Sequence, residues 1–330
     1  MPDLESHSPA TITTATPSVV LGPRRTTTTG VTITAARPPV RTLVETHAHP
    51  TVLLDPTADT LAIVQQLRAH RTPLFAVSAH RLEPVLYARS VRRRRVPALT
   101  DAPDRWHALL VELAAKLEPR PVLFACSERA HALLATSRRT LAPHYEFATA
   151  LATESADRTA PETAIRHALL RGEPALEVQI VRDAAGNHTG HCVLAWAPGA
   201  APEVVVTSVA GEDVVARSEA WLAARGHIGY ARLIWSPDRF GRLQMTTWSG
   251  VPGAGVALAH EDGVDLASLA HAAVLGADAT PQPPQLCVVR RLALADPSAD
   301  GDAAPLVHAP LCSREPLPRV VSWLRGMLAR

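Results

Sequence analysis

His47 and His49 stand two residues apart in the run Glu45-Thr-His-Ala-His-Pro50. Alternate residues of a strand share a face, so two imidazoles at this spacing can reach one ion and support metal-dependent hydrolysis. A polar junction between a leader and a first strand explains the same run without any metal. Arg92–Arg95 is a run of four arginines, able to attract phosphate but equally suited to a solvated edge. Gly250-Val-Pro-Gly-Ala-Gly255 holds three glycines, without the spacing or the closing lysine of a phosphate loop. Of the 33 basic residues only Lys116 is lysine, so a mechanism that needs lysine on a phosphate has one candidate. Ser249-Gly250 follows a strand pattern, but no Gly-x-Ser-x-Gly elbow surrounds it and no partner base is assignable.

The rest of the composition narrows the field. The 33 basic and 31 acidic residues leave a net charge of +2, which argues against a nucleic-acid or anionic-membrane partner. No stretch reaches the roughly 18 uncharged apolar residues of a membrane span. Met1–Ser8 carries Asp3 and Glu5, with no apolar run behind it, so no secretory signal is expected. Cys126, Cys192, Cys287 and Cys312 lie far apart, which speaks against a zinc site or disulfide framework and for a cytoplasmic protein. Apolar residues make up 47%, enough for sizeable cores.

The elements that would carry these residues fall into two styles. Residues 1–45, with eleven threonines, read as a disordered leader with one short strand near Val31–Ala35. From Thr51 strands and helices alternate. Strands are expected at Thr51–Leu54, Pro73–Val77 and Pro121–Ala125, with a strand-like edge at Arg92–Pro97. Helices are expected at Asp59–His70 with Asp59 as N-cap, at Asp104–Leu117, and after a Ser127 cap. A short helix or turn covers Leu82–Ser90. Such alternation predicts a parallel sheet. Residues 151–161 are polar and mark a boundary, followed by a short helix at Thr163–Arg171. Beyond it the pattern turns antiparallel. A hairpin joins Leu176–Val181 to Thr189–Trp196 through Asp183–Asn187, and a second joins Tyr230–Trp235 to Arg242–Thr247. A strand at Val204–Val209, helices at Asp213–Arg225 and Val264–Leu275, and a tail with a helix near Leu317–Leu328 complete an α+β half.

Several ordered blocks resemble the ATP-grasp carboxylate–amine ligases. In the first half they are Thr72-Pro-Leu-Phe-Ala-Val-Ser78, Tyr87-Ala-Arg-Ser90, Arg120-Pro-Val-Leu-Phe-Ala-Cys-Ser-Glu128 and Leu141-Ala-Pro-His-Tyr-Glu-Phe147. In the second they are Ala216-Arg-Ser-Glu-Ala-Trp-Leu-Ala-Ala-Arg-Gly-His-Ile-Gly-Tyr-Ala231, Phe240-Gly-Arg242 and Gly263-Val-Asp-Leu266. The resemblance implies an α/β Rossmann-like N-terminal domain over 46–150. A truncated, α+β ATP-grasp-like domain follows over 151–276, with a C-terminal tail over 277–330. It places Glu177, Gln179 and Met245 at a nucleotide site, the first two on the strand along the adenine edge and Met245 under the ring. A half-exposed strand and ordinary core packing explain the same three residues without a nucleotide.

The departures bear on activity. The family's glycine-rich first loop is here Leu54-Asp-Pro-Thr-Ala-Asp59. The lid-bearing subdomain with its lysines is replaced by roughly 25 residues between the two halves, none of them lysine. The family's magnesium ligands, a glutamate and an asparagine two residues on, fall at Thr247 and Ser249, and the upstream acidic position falls among Arg232, Leu233 and Ile234. Hydroxyls lack a carboxylate's affinity for Mg²⁺. The first expectation is therefore a degenerate ATP-grasp-like protein without catalytic residues, metal or cofactor, serving as an accessory partner to an intact ligase or pathway enzyme. The alternatives are an active ATP- and Mg²⁺-dependent ligase whose arginines replace lysines on phosphate, and a metal-dependent hydrolase built on His47 and His49.

Overall fold

A computed structural model describes residues 49–81, 83–98, 102–149, 159–200, 203–277 and 280–293. The leader over 1–45, the strand near Val31–Ala35, His47, Cys312 and the helix near Leu317–Leu328 lie outside the described residues.

The first half forms one parallel sheet of β1 (Thr51–Leu54), β2 (Leu74–Ser78), β3 (Val91–Arg95), β4 (Val122–Ala125) and β5 (Glu146–Phe147), in the order β3-β2-β1-β4-β5. The inner strands β1, β2 and β4 are buried along their whole length, which explains their unbroken apolar runs. One face of Val52, Leu54, Phe75, Val77, Leu123 and Ala125 packs on α2 (Pro103–Ala114) and α3 (Glu128–Leu141). The opposite face, with Leu53, Leu74, Ala76, Val122 and Phe124, packs with α1 (Thr60–Ala69). A single 3₁₀ turn, Pro84–Tyr87, links β2 to β3. Asp59 precedes α1 but makes no capping hydrogen bond: its backbone is already helical, at φ −64° and ψ −25°, where an N-cap residue is ordinarily extended, and its Oδ1 is buried without a hydrogen-bond partner. Ser127 does cap α3, its Oγ accepting from the Ala130 N–H at 3.1 Å.

The second half is a six-stranded antiparallel sheet, ordered β10-β9-β6-β7-β8-β11. Its strands are β6 (Ala175–Arg182), β7 (His188–Pro198), β8 (Glu203–Ser208), β9 (Gly229–Pro237), β10 (Leu243–Ser249) and β11 (Val289–Ala293). Both expected hairpins form, with Gly186 and Gly241 at φ 86° and 77° in their turns. The outer face, including Val178, Ile180, Leu233 and Trp235, packs on α5 (Glu212–Ala223). The inner face, including Leu194, Trp196, Tyr230 and Ile234, packs with α4 (Pro161–Leu170), α6 (Gly255–Glu261) and α7 (Leu266–Val274). The sequence pattern missed β5, β11 and α6. The first is two residues long, the second sits in a Pro-rich tail, and the third opens on a glycine.

The same apolar cluster runs from β1, β2 and β4 through α1 to α6, α7 and the inner face of the second sheet. Gln66 of α1, fully buried, ties the halves with polar bonds. Its Nε2 donates to the Val256 carbonyl at 3.4 Å, and its Oε1 accepts from the Ala267 N–H at 2.8 Å. That N–H lies in the first turn of α7, where it has no partner within its own helix. None of the described helices is long and apolar enough to cross a membrane.

Candidate functional site

The strand order of the parallel sheet reverses between β1 and β4, and in open α/β sheets ligands sit in the crevice beyond the carboxyl ends of such strands. Asp55 follows β1 there, at φ 50°, a left-handed conformation that asparagine and aspartate tolerate better than most residues. Its Oδ2 accepts from Ser127 Oγ at 2.6 Å, so the serine that caps α3 also clamps the β1 loop. One residue on, Glu128 reaches across to the second sheet, and its Oε1 accepts from Ser249 Oγ of β10 at 2.7 Å. The crevice of the first sheet therefore faces the inner side of the second.

At the centre of that inner side stands Arg232 of β9, 1% exposed. Its Nε donates to Glu177 Oε1 at 2.7 Å, and Nη1 donates to Glu162 at the start of α4. The second oxygen of Glu177 accepts from Trp196 Nε1 at 2.8 Å. Next along β6, Gln179 Oε1 accepts from the Tyr230 hydroxyl at 3.0 Å, while Gln179 Nε2 is buried without a hydrogen-bond partner. A buried charge is tolerable only when it is paired and hydrogen-bonded, and this arrangement meets that condition.

Electrostatics follow from the geometry. Burial works against the Arg232 charge, but Glu162 and Glu177 outweigh it and hold its pKa above the ordinary arginine value. Burial raises the pKa of Glu177, with Arg232 opposing it. Asp59, before α1, has its pKa pushed to about 7 by burial and then by the nearby Glu162 and Glu177 charges, with Arg232 opposing. Burial also raises Glu128, and the Ser249 hydrogen bond pulls it back.

The loop 250–254 and the first turn of α6 pack against this cluster, with Gly253 and Gly255 at the contact. A Cβ on Gly253 would stand 2.4 Å from Arg232 Nη1, and one on Gly255 would stand 2.2 Å from Gln179 Nε2. A side chain at either position would have to displace these buried side-chain ends.

Of the residues expected at a nucleotide site, Glu177 and Gln179 lie together on the inner face, both with no exposed surface. They are neither a half-exposed strand face nor an open adenine edge. Met245 packs on the outer face with the α5 cluster, opposite Trp235, so the structure does not bring it to the other two. The bulge between Met245 and Thr247 turns Thr247 and Ser249 inward. Their hydroxyls are committed, Thr247 donating to the Thr159 carbonyl at 2.7 Å and Ser249 to Glu128. Among the described residues no three His, Cys, Asp or Glu side chains are grouped to hold a metal ion. The hydrolase expectation needs a closed barrel. The described strands instead form two open sheets, and His49 Nδ1 bonds the Arg120 carbonyl at 2.9 Å.

The sequence reading gave Asp59 only a capping role, gave Glu128, Glu162, Trp196 and Tyr230 no role at a site, and met Arg232 only as a residue that is not acidic. A usable signal was present: one arginine inside Gly229-Tyr-Ala-Arg-Leu-Ile-Trp235, and Glu177 inside an apolar strand, each demand a buried partner.

No protein-family profile matches the chain, and no curated protein matches it by sequence. Solved structures do match it in fold. An N5-carboxyaminoimidazole synthetase from Staphylococcus aureus, complexed with ADP, is 10% identical with a TM-score of 0.53, over 74% of this chain and 82% of that one. The biotin carboxylase domain of the 2-oxoglutarate carboxylase from Hydrogenobacter thermophilus, in complex with MgADP, ADP and bicarbonate, is 11% identical with a TM-score of 0.51, over 78% and 77%. An N5-carboxyaminoimidazole ribonucleotide synthetase in its ADP complex is 9% identical with a TM-score of 0.53, over 75% and 81%. The resemblance to ATP-grasp carboxylate–amine ligases thus holds at the level of the fold.

Proposed function

We propose that this chain is a non-catalytic protein of ATP-grasp fold, acting as an accessory or binding partner in a biosynthetic pathway. The observation that carries this reading is the Arg232 clamp. A guanidinium held by Glu177 and Glu162 occupies the inner face of the sheet, and loop 250–254 lies against it. The resemblance places the magnesium ligands at Thr247 and Ser249 on this same face. The two hydroxyls offer no anionic oxygen, already serve other partners, and stand on the strand beside a fixed positive charge. These residues do not fit a magnesium–nucleotide complex. In this reading, residues 46–150 and 151–276 keep the order of the family's domains without its lid.

The likeness in fold alone suits an active ATP-dependent carboxylate–amine ligase equally, and the structures bound to ADP are the observation in its favour. Calorimetric titration with a non-hydrolysable ATP analogue, with and without Mg²⁺, separates the two. The expected outcome is no binding up to about 1 mM, weaker than roughly −4 kcal/mol. Magnesium-dependent micromolar binding would overturn the proposal and direct effort to a ligase assay over carboxylate–amine pairs.

A further inference from the structure

We propose that the free edge of β3 is a docking site for an acidic, extended segment of another protein, which joins the parallel sheet as an added strand. β3 is the terminal strand of its sheet, paired only with β2 among the described residues. An edge strand offers a row of unpaired backbone donors and acceptors, the template used when a peptide adds to a sheet.

Four successive arginines, Arg92 to Arg95, flank this edge, and all four are exposed. Their side chains alternate between the faces of the sheet. Arg92 stacks over the Phe75 ring on the α2 side, with Cζ 5.6 Å from the centroid, and Arg93 stacks over Tyr87 on the other, also at 5.6 Å. Both guanidinium groups lie over an aromatic ring, and among the described residues no side-chain hydrogen bond or ion pair occupies any of the four. Glu112 of α2, which feels the Arg94 charge, is already paired with Lys116.

Charge on an edge strand ordinarily blocks pairing. Here it blocks selectively. A second copy of β3 would set arginine against arginine, an unfavourable cross-strand pair. The longest acidic runs in this chain are two residues, Glu212-Asp213 and Glu261-Asp262, so the chain does not carry the complement itself. A nucleic acid presents its phosphates in rows along a backbone and meets one face of the sheet. A strand with acidic residues at successive positions repeats the same rise and the same alternation, and so meets both. The proposal is independent of whether the second sheet takes a nucleotide.

The test is fluorescence anisotropy on the full chain. The probe is a labelled peptide of four consecutive glutamates with Val-Thr on either side. Two comparison probes are the same peptide N-methylated at alternate residues and a single-stranded DNA 12-mer. Strand addition predicts that the unmodified peptide binds about tenfold more tightly than either, and that Arg94→Gln with Arg95→Gln weakens it about tenfold while the melting temperature stays put. Equal binding of the N-methylated peptide would reduce the site to charge alone and overturn the proposal. So would tighter binding of the DNA, indifference to the paired substitution, or no peptide binding at 1 mM.

Discussion

Arginine appears in two opposite settings in this fold. On β3 four in succession stand in water at the rim of one sheet. On β9 a single one lies 1% exposed against the inner face of the other, fixed by Glu177 and Glu162. The first setting leaves the charge available and contributes little to folding. The second makes the charge part of the core, where each member of the cluster depends on the others. Identical chemistry is thus a surface property in one sheet and a structural element in the other, and burial decides which.

Removing the buried member should have the largest effect. Arg232→Met leaves two carboxylates without their cation and should destabilise the fold by about 3–5 kcal/mol, read from urea unfolding. Replacing Arg232, Glu177 and Glu162 together with apolar residues of similar volume should recover most of that loss. A triple variant no more stable than Arg232→Met would mean that the clamp is not where the energy resides.

Asp59 gives a smaller, pH-dependent effect. Its folded-state pKa of about 7 lies above the ordinary 3.8, so the folded protein keeps a proton that the unfolded chain releases. Stability should therefore fall as pH rises from about 4 to about 7, and Asp59→Asn should abolish that slope, stabilising the protein at pH 8 and leaving it unchanged near pH 3.5. A variant that loses stability at pH 8 would show that the carboxylate is ionised and held by Arg232 instead. The exposed pair completes the comparison: Arg94→Gln with Arg95→Gln should change unfolding free energy by less than about 0.5 kcal/mol.

The parallel sheet was legible because strands buried on both faces leave unbroken apolar runs, as in Val52–Leu54 and Leu74–Val77. Both hairpins were legible because Asp183–Asn187 and Ser236–Gly241 carry turn residues. The helix α6 was not, since Gly255 opens it for a reason that lies 76 residues upstream, at Gln179. The site was legible only by position. A resemblance located Thr247 and Ser249, and it located Glu177 and Gln179. It did not reveal that Arg232 would join Glu177 across two neighbouring strands, or that Asp59 would be buried without capping its helix. Those facts depend on which face each strand presents and on what packs above it, and one-dimensional spacing carries neither.

Gln66 turns a packing detail into a clock. The Ala267 amide, held by a side chain from α1, can exchange its proton with solvent only when that side chain lets go. Its neighbours deeper in α7 are held by their own helix and report on that helix unwinding. The difference between these exchange rates therefore reports how often α1 releases the start of α7 while that helix stays wound.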